Sequence, residues 1–237
     1  MGDAVLPQLA RLREAALDFI FSPYCVGCGR EGAFICPACR QSLQRIMPPT
    51  CPRCGRPQPS GIVCPDCVRW QAVIDGIRSP FRFEGVIREA IHQLKYQNLR
   101  ALAVPLAGML QEYLSANPLE FDVLVPVPLH RKRLRERGYN QARLLAQELG
   151  KLTNKPVLDD VIIRRKHTPP QARTATIEER THNISDAFAC PDNRLRGRHV
   201  LLLDDVATSG STLNAGAAVL KASGATAVWR LVMAREI

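Results

Sequence analysis

The pattern of hydrophobic and polar residues changes near residue 75, and the chain beyond that point alternates between strand and helix periodicity. Ile77, Phe81 and Phe83 alternate with polar residues, which predicts a strand. Pro80 favours a place for this strand at a sheet edge. Apolar residues at helical spacing then predict two helices. The first carries Ile87, Ala90, Ile91 and Leu94, and the second carries Leu102, Leu106, Leu110, Tyr113 and Leu114.

The same alternation continues to the end of the chain. It predicts strands over 122–126, 157–163, 200–203 and 227–232, helices over about 139–151 and 212–222, and a basic loop after the 122–126 strand. Uniformly apolar runs such as 200–203 are typical of parallel strands that are buried on both faces. Strand–helix–strand alternation therefore predicts an α/β fold with a parallel sheet, and a ligand site at the carboxyl ends of the strands.

The sequence LLLDDVATSGST, residues 201–212, joins one of these strands to the following helix. If the strand ends at Leu203, the carboxylates of Asp204 and Asp205 emerge at its carboxyl end, where they can accept hydrogen bonds from vicinal sugar hydroxyls. Small and hydroxyl-bearing residues beside a helix N-terminus suit a phosphate group. Here these residues are Ala207, Thr208, Ser209, Gly210, Ser211 and Thr212. Together the two features predict a site for ribose 5-phosphate.

Three other interpretations fit parts of this stretch. Two acids after a strand are typical of the magnesium-binding strand of nucleotidases, but the chain has no GxxxxGK[ST] loop for a triphosphate. Two acids also form the phospho-acceptor pocket of signalling receivers, where they follow a domain's first strand, whereas Asp204 lies near the end of this chain. The third interpretation is a helix cap that binds no ligand.

Cysteines dominate the chain before residue 70. Eight of the nine form four CxxC pairs, namely Cys25/Cys28, Cys36/Cys39, Cys51/Cys54 and Cys64/Cys67. Two such pairs supply four thiolates to one tetrahedral zinc ion, so we expect two structural zinc sites with no open position for substrate. The short spacing favours joining successive pairs, and an interleaved scheme stays open. Disulfides are the competing interpretation, but they need an oxidising compartment and we recognise no secretion signal.

Composition and charge narrow the class of protein. Hydrophobic residues make up 46% of the chain and charged residues 23%, without an apolar run long enough for a transmembrane helix. We therefore expect a cytoplasmic protein with no integral membrane segment. Residues 1–22 predict an amphipathic helix that packs on the chain itself, or docks on a partner or a membrane surface. The net charge of +10 favours a polyanion or a phosphorylated small molecule as partner, although a solvated basic surface also explains it.

Four stretches of the second half match known family patterns. VLLLDDVATSGST (200–212) resembles the phosphoribosyl-pyrophosphate-binding motif of type I phosphoribosyltransferases, and LKYQN surrounds Lys95. PVPLHRKRLRERGYNQA (126–142) carries Arg133, Arg137, Gly138, Asn140 and Gln141. RRKHTPPQARTATIEERTHNISDAF (164–188) carries Arg164, Thr168, Gln171, Arg180, Asn183 and Phe188. Together with the CxxC pairs, these stretches resemble the competence protein F (ComF) family.

The resemblance implies a double zinc ribbon over 23–70 and a type I phosphoribosyltransferase-like domain over 71–237. It implies magnesium-bound phosphoribosyl pyrophosphate as ligand, with Lys95 and Gln171 among the binding residues, and an association with DNA uptake in natural competence. Segment 126–142 corresponds to the pyrophosphate loop, so Arg133 and Arg137 are expected to neutralise departing pyrophosphate. An exposed basic helix start or a DNA-backbone patch are the alternatives for these arginines. Magnesium is expected to be held mainly by the substrate's own oxygens.

Two classes of function stay open. As an enzyme of the glycosyltransferase class, the protein displaces pyrophosphate at ribose C1 using Asp204, Asp205, Arg133 and Arg137, and no residue identifies the acceptor. Segment 165–185 is then expected to close over the site. As a non-catalytic module, the protein binds single-stranded DNA and works with DNA-uptake proteins. Aromatic residues make up only 5% of the chain, and Tyr139 is the clearly placed candidate for base stacking.

Overall fold

We analysed a computed structural model of the 237-residue chain, which describes residues 22–69, 73–164, 188–190, 192–207 and 211–237, without the side chains of 211–213. The N-terminal helix expected within 1–22 lies almost entirely outside the described residues, and the segment 165–185 expected to close over the site lies wholly outside them. Within the described ranges, no helix combines the length and the apolar character needed to cross a bilayer.

Five parallel strands form the central sheet of the second half. The strands of the described chain are β1 (Gly76–Arg78), β2 (Phe81–Arg82), β3 (Val123–Pro126), β4 (Ile163–Arg164), β5 (Phe188–Ala189), β6 (His199–Ala207) and β7 (Ala227–Arg235). The sheet order is β1–β7–β6–β3, and β2 also pairs with β7. All of these pairings are parallel, whereas β4 and β5 form a separate antiparallel pair. This arrangement confirms the predicted α/β fold with a parallel sheet.

The described ranges contain seven α-helices. They are α1 (Pro37–Gln41), α2 (Pro65–Arg69), α3 (Gly85–Tyr96), α4 (Ala103–Ala116), α5 (Arg131–Arg137), α6 (Gln141–Thr153) and α7 (Ser211–Ala222), with a 3₁₀ turn at Arg100–Leu102. The predicted faces of α3 and α4 are confirmed, since Ile87, Ala90, Ile91 and Leu94 are buried in α3 and Leu106 and Leu110 in α4.

Strand β6 divides the core into two layers, because successive side chains of a strand point to opposite faces. Leu201 and Leu203 pack in one layer with residues of α3, α4 and α6. Val200 and Leu202 pack in the other layer with residues of α7, among them Leu220. Burial on both faces is the reason that this strand reads as an unbroken apolar run.

Two of the predicted strands, over 77–83 and 157–163, differ in extent from the structure. The strand expected over 77–83 is split into β1 and β2 at Ser79-Pro80, although both pieces lie at the sheet edge beside β7 as Pro80 indicated. The strand expected over 157–163 reduces to a single parallel bridge between Val157 and Leu124, and the chain pairs again only from Ile163. Between these points Asp159 and Asp160 form ion pairs with arginines outside the sheet.

The basic stretch after β3 is the third correction, because it is helix α5 and not a loop. The side chain of His130 accepts a hydrogen bond from the backbone N–H of Lys132 at 3.2 Å, which caps the helix start. The helix ends at Gly138, whose φ of 79° is the left-handed conformation that glycine adopts at low cost.

The cysteine-rich half is hydrogen-bonded directly to the edge of the sheet. The backbone N–H of Ile77 donates to the carbonyl of Arg53 at 2.7 Å, and Arg78 Nη1 donates to the carbonyl of Pro52 at 3.0 Å. At the end of β7, the buried side chain of Arg235 donates to the carbonyl of Cys54. The second pair of CxxC knuckles is therefore fixed to both β1 and β7.

Close packing of β1 on β7 gives a test of this edge. A Cβ atom at Gly76 would lie 2.2 Å from Cζ3 of Trp229, whose rigid ring is also contacted by the guanidinium of Arg78, 4.5 Å from its centre. We expect Gly76→Ala to lower the free energy of unfolding by about 1–3 kcal/mol. Gly108→Ala, in a helix position with nothing within 4 Å, is the control and should not destabilise. Chemical denaturation measures both, and equal stability of the two variants would contradict the packing argument.

Candidate functional site

Asp204 and Asp205 lie within strand β6, not beyond its end. The strand continues through Val206 to Ala207 and keeps its register with β7. The expectation that both acids emerge past the strand was therefore wrong. Because neighbouring strand residues point to opposite faces, the two carboxylates lie in different layers of the core.

Asp204 forms a buried ion pair across two strands. Nη2 of Arg230, on β7, lies 2.5 Å from Oδ2 of Asp204, and the exposed fractions of the two side chains are 4% and 16%. The backbone N–H of Asp205 donates to the other carboxylate oxygen of Asp204 at 2.9 Å. Burial raises the pKa of Asp204, the positive charge of Arg230 opposes this shift, and the negative charge of Asp205 adds to it, so that the pKa is about 6.

Asp205 is held from the other layer by α3. Its side chain is 5% exposed, and Nζ of Lys95 lies 2.9 Å from its Oδ2. The structure thus places Lys95, a residue that only the family resemblance indicated, beside one of the two acids. A buried carboxylate needs such a partner, because burying an unpaired charge is costly.

A small cavity opens beside Asp204. Its volume is about 60 Å³, and its charged lining residues are Arg164, Asp204 and Arg230. The rest of the lining is apolar and includes Phe188, Leu202 and Gly216. Burial lowers the pKa of Arg164, the positive charge of Arg133 lowers it further, and the charge of Asp204 opposes both, so these three groups are near neighbours.

The two arginines expected at pyrophosphate take different directions. Arg133 lies close enough to Arg164 to affect its pKa, on the side of the cavity. Arg137 donates from Nη1 to Oε1 of Gln141, and its guanidinium lies 5.2 Å from the ring centre of Tyr96. Helix α5 therefore spreads its positive charge between the cavity and the C-terminal end of α3.

Tyr139 is not available for base stacking, so that expectation was wrong. The residue is only 7% exposed, and its hydroxyl donates to the carbonyl of Leu94. The guanidinium of Arg100 covers the ring at 4.5 Å from its centre. Tyr139 instead packs the start of α6 against α3.

The eight paired cysteines form two clusters in the sequential scheme. Cys25, Cys28, Cys36 and Cys39 make one, and Cys51, Cys54, Cys64 and Cys67 make the other, with the sulfurs of each set within 4.8 Å of one another. Tetrahedral zinc with Zn–S bonds of about 2.3 Å needs sulfurs about 3.8 Å apart. The Cys28–Cys36 and Cys54–Cys64 sulfurs, at 3.6 and 3.8 Å, meet this requirement.

The electrostatics of the clusters also suit a cation. Burial raises the pKa of Cys25 and of Cys51, but backbone N–H donors outweigh it and lower both pKa values to about 6. Hydrogen bonding to Cys25 and burial in turn raise the pKa of Cys39 to about 12. Each cluster therefore stabilises one thiolate and resists more, until a dication compensates the repulsion among four of them.

Comparison with known proteins identifies the family. A double zinc ribbon model matches residues 16–68, and a phosphoribosyl transferase domain model matches residues 92–234. Competence protein ComFC of Bacillus subtilis is 30% identical over 200 residues, which are 81% of this chain and 80% of the relative. Competence protein F of Haemophilus influenzae is 31% identical over 84% of this chain and 90% of the relative.

The chain belongs to the competence protein F family. The DNA utilization protein YhgH of Escherichia coli is a further relative, 31% identical over 82% of this chain and 87% of its own length. Because the family pairs a double zinc ribbon with a phosphoribosyl transferase domain, the two cysteine clusters of this member are structural zinc sites.

The structure does not describe the side chains of several residues that the sequence motifs place in the site of this family member. Gln171, Thr208, Ser209 and Gly210 lie outside the described residues. Ser211 and Thr212 are the first two residues of helix α7. Ala207 is the last residue of β6 and is buried.

Arg230 is the residue that sequence reasoning missed. It is 3% exposed and belongs to a strand that was assigned only for its apolar run. A single arginine inside the otherwise apolar sequence AVWRLV was the available signal, because a buried arginine needs an acid nearby.

The cysteine clusters give a test by metal content. We expect about two zinc ions per chain, and Cys39→Ser should lower the content to about one because it removes a ligand of the first cluster only. Cys190→Ser is the matched control, since Cys190 belongs to neither cluster. Elemental analysis of the purified variants measures this, and loss of both ions from Cys39→Ser would contradict two independent sites.

Proposed function

We propose that the protein binds phosphoribosyl pyrophosphate with magnesium beside Asp204 and Asp205 and transfers its phosphoribosyl group to an acceptor. The observation that carries this proposal is the pair of carboxylates on β6, each held by a cation and followed directly by the segment that leads into α7. The family's phosphoribosyl transferase domain supports it.

The two acids take different roles in this proposal. Asp204 is partly exposed and lines the cavity, so its carboxylate accepts hydrogen bonds from the ribose hydroxyls. Asp205 is almost fully buried on Lys95, so it fixes α3 against β6 and does not reach the sugar. The 5-phosphate then lies at the N-terminal end of α7, where the helix dipole favours an anion.

The positive charges around the site suit the leaving group. Arg133, which lies on the side of the cavity, neutralises pyrophosphate as the C1–O bond breaks and its electron pair departs with the oxygen. The acceptor's lone pair forms the new bond to C1, and any proton on the attacking atom passes to water. Since both acids already have cationic partners, the chain suits magnesium that is held mainly by the substrate's oxygens.

We further propose an association with DNA uptake. The names of the Bacillus and Haemophilus relatives refer to competence, and that of the Escherichia relative to DNA utilization. These relatives are matched over most of their length, so the same association is the simplest one for this member.

Thermal unfolding tests the ligand. At about a hundredfold excess over its Kd, phosphoribosyl pyrophosphate with magnesium should raise the Tm by about 5 °C or more. Asp204→Asn should remove most of the shift and leave a small remainder. Asp160→Asn is the control and should retain the shift. Asp160 is also an acid paired with an arginine, Arg194, but both side chains are exposed to solvent. A full shift in Asp204→Asn would contradict the site.

The pH dependence of the same measurement separates Asp204 from the ligand's own phosphates. With a pKa of about 6, Asp204 loses its negative charge as the pH falls through 6, while the guanidinium groups of Arg230 and Arg164 around it stay positive. Binding to wild type should therefore weaken more steeply from pH 7 to pH 5 than binding to Asp204→Asn. Parallel profiles would show that ionised Asp204 does not contact the ligand.

A second candidate function, binding of single-stranded DNA, is favoured by an exposed stripe on α3. Arg88, His92 and Tyr96 lie four residues apart on one helix face, and Tyr96 is 67% exposed. His92 lies 4.9 Å and the Arg137 guanidinium 5.2 Å from the Tyr96 ring centre. Aromatic rings beside cations are the usual platform for unpaired bases and their phosphates.

Fluorescence anisotropy with a labelled oligothymidine tests this function. Tyr96→Ala should weaken binding by roughly fivefold or more, and wild-type affinity should fall steeply with salt. Tyr24→Ala is the control, because Tyr24 is also exposed, at 63%, but lies in the first zinc ribbon. The same loss in both variants, or in neither, would rule out the stripe as the contact.

A further inference from the structure

The two zinc clusters are built in the same way by their own backbone. In the first cluster the N–H of Cys36 donates to Sγ of Cys25 at 3.3 Å, and in the second the N–H of Cys64 donates to Sγ of Cys51 at 3.4 Å. The knuckle turns also match, because in each cluster the N–H four residues after the first cysteine donates to the carbonyl of that cysteine at 2.8 Å. A difference in how firmly the clusters hold zinc must therefore come from their surroundings.

The second cluster is the more deeply buried of the two. Its Cys51, Cys54 and Cys67 are at most 6% exposed, whereas Cys28 of the first cluster is exposed to solvent. A zinc ion bound by four thiolates carries a net charge of about −2, because the thiolates outweigh the dication. Burying such a charge is costly unless cations lie beside it. The second cluster therefore needs nearby positive groups more than the first.

Arg235, at the end of β7, is one such cation. The residue is 5% exposed, and its guanidinium donates to the carbonyl of Cys54. Its buried Nε has no hydrogen-bond acceptor, and no carboxylate forms an ion pair with it, among the described residues. A guanidinium stays protonated, so this charge must be balanced by another kind of anion. Burial lowers the pKa of Arg235, and the charges of Cys54 and Cys67 oppose that shift, which identifies the thiolates as this anion.

Arg78 faces the same cluster from β1. Its Nη1 donates to the carbonyl of Pro52 at 3.0 Å, inside the knuckle that carries two of the ligands. No carboxylate of the described residues forms an ion pair with it. Burial lowers the pKa of Arg78, while the charges of Tyr113, Cys51 and Cys54 oppose the shift. The sheet thus presents two guanidinium groups to a cluster whose zinc-bound form has about two negative charges.

The first cluster has different surroundings. Arg40 follows its ligand Cys39 directly, but the Arg40 guanidinium forms an ion pair with Glu112 of α4. The shifts in the pKa of Cys25 and of Cys39 come from burial, backbone N–H donors and the other thiols of the cluster. Solvent reaches this cluster at Cys28 and screens its charge, and the same opening admits a competing ligand.

We propose that Arg235 and Arg78 are the counter-charges of the zinc ion in the second cluster, so that this ion is retained while the ion of the first cluster is exchangeable. Neither arginine ligates the metal, so both are positioning residues that act through their charge. Release of the second ion leaves two guanidinium groups without an anion at the sheet edge, and release of the first does not. The proposal is independent of the proposed transferase function.

Zinc release to the chromogenic chelator pyridylazoresorcinol, from the full-length, zinc-loaded protein, tests the proposal. Wild type should release its two ions in two phases, of which the slower is slower by about tenfold or more. Cys39→Ser removes a ligand of the first cluster only, so it should show the slow phase alone. This variant assigns each phase to its cluster.

Arg235→Gln should accelerate the slow phase by about tenfold or more and leave the fast phase unchanged, because truncating one partner of a buried charge pair mainly speeds dissociation. Arg235→Lys keeps the charge, so its slow phase should lie closer to that of wild type than to that of Arg235→Gln. Arg69→Gln is the matched control. It removes an arginine of the same ribbon whose side chain is 79% exposed and paired with Asp66, and both rates should stay unchanged.

Four results would overturn the proposal. They are a single rate for both ions in wild type, no acceleration in Arg235→Gln, equal acceleration of both phases in that variant, or the same acceleration in Arg235→Lys. The third would mean a general loss of stability, and the fourth a requirement for the guanidinium shape and not for its charge. If Arg235→Gln does not fold, Arg78→Gln and Arg78→Lys take its place, with the same expected direction and the same contradicting results.

Discussion

The ion pair between Asp204 and Arg230 is the constraint on which the site depends. Both side chains lie in the interior of a parallel sheet, where neither charge is tolerated alone. Their pairing allows β6 to continue inside the core although it carries two acids. It also joins β6 to β7 close to the end of β6, where the segment that leads into α7 begins. Lys95 does the same for Asp205 from the opposite layer. One strand therefore carries two carboxylates, of which one remains accessible and one is structural.

Local periodicity and spacing predicted much of this fold. Helices α3 and α4 followed from their apolar faces, and the zinc clusters from CxxC pairs whose short separation favours successive pairing. The strand that carries Asp204 was predicted too short, because acids disfavour a strand unless a distant partner compensates them. That partner is Arg230, on the next strand of the sheet. Local sequence carries no record of such a pairing.

The role of Tyr139 shows the same limit for the candidate site. An aromatic residue at the end of a basic segment is typical of a nucleic-acid contact, and burial decides otherwise. The Tyr139 hydroxyl donates a hydrogen bond to the carbonyl of Leu94, and the guanidinium of Arg100 covers the Tyr139 ring. Tyr96, on the helix that buries Tyr139, holds the exposed position instead. Which of two tyrosines faces solvent depends on how α3 and α6 pack, which the spacing of residues in one segment does not specify.

Strand β7 also connects the two halves of the molecule. Arg230 reaches Asp204, and five positions later Arg235 reaches the carbonyl of Cys54 in the second zinc cluster. At about 3.3 Å per residue, these contacts are about 17 Å apart along one strand, and the odd spacing puts them on opposite faces. A strand hydrogen-bonded along its length moves as a unit, so the second ribbon fixes the lengthwise position of the arginine that orients Asp204. The metal-binding module therefore anchors the strand that holds Asp204 in the proposed sugar site.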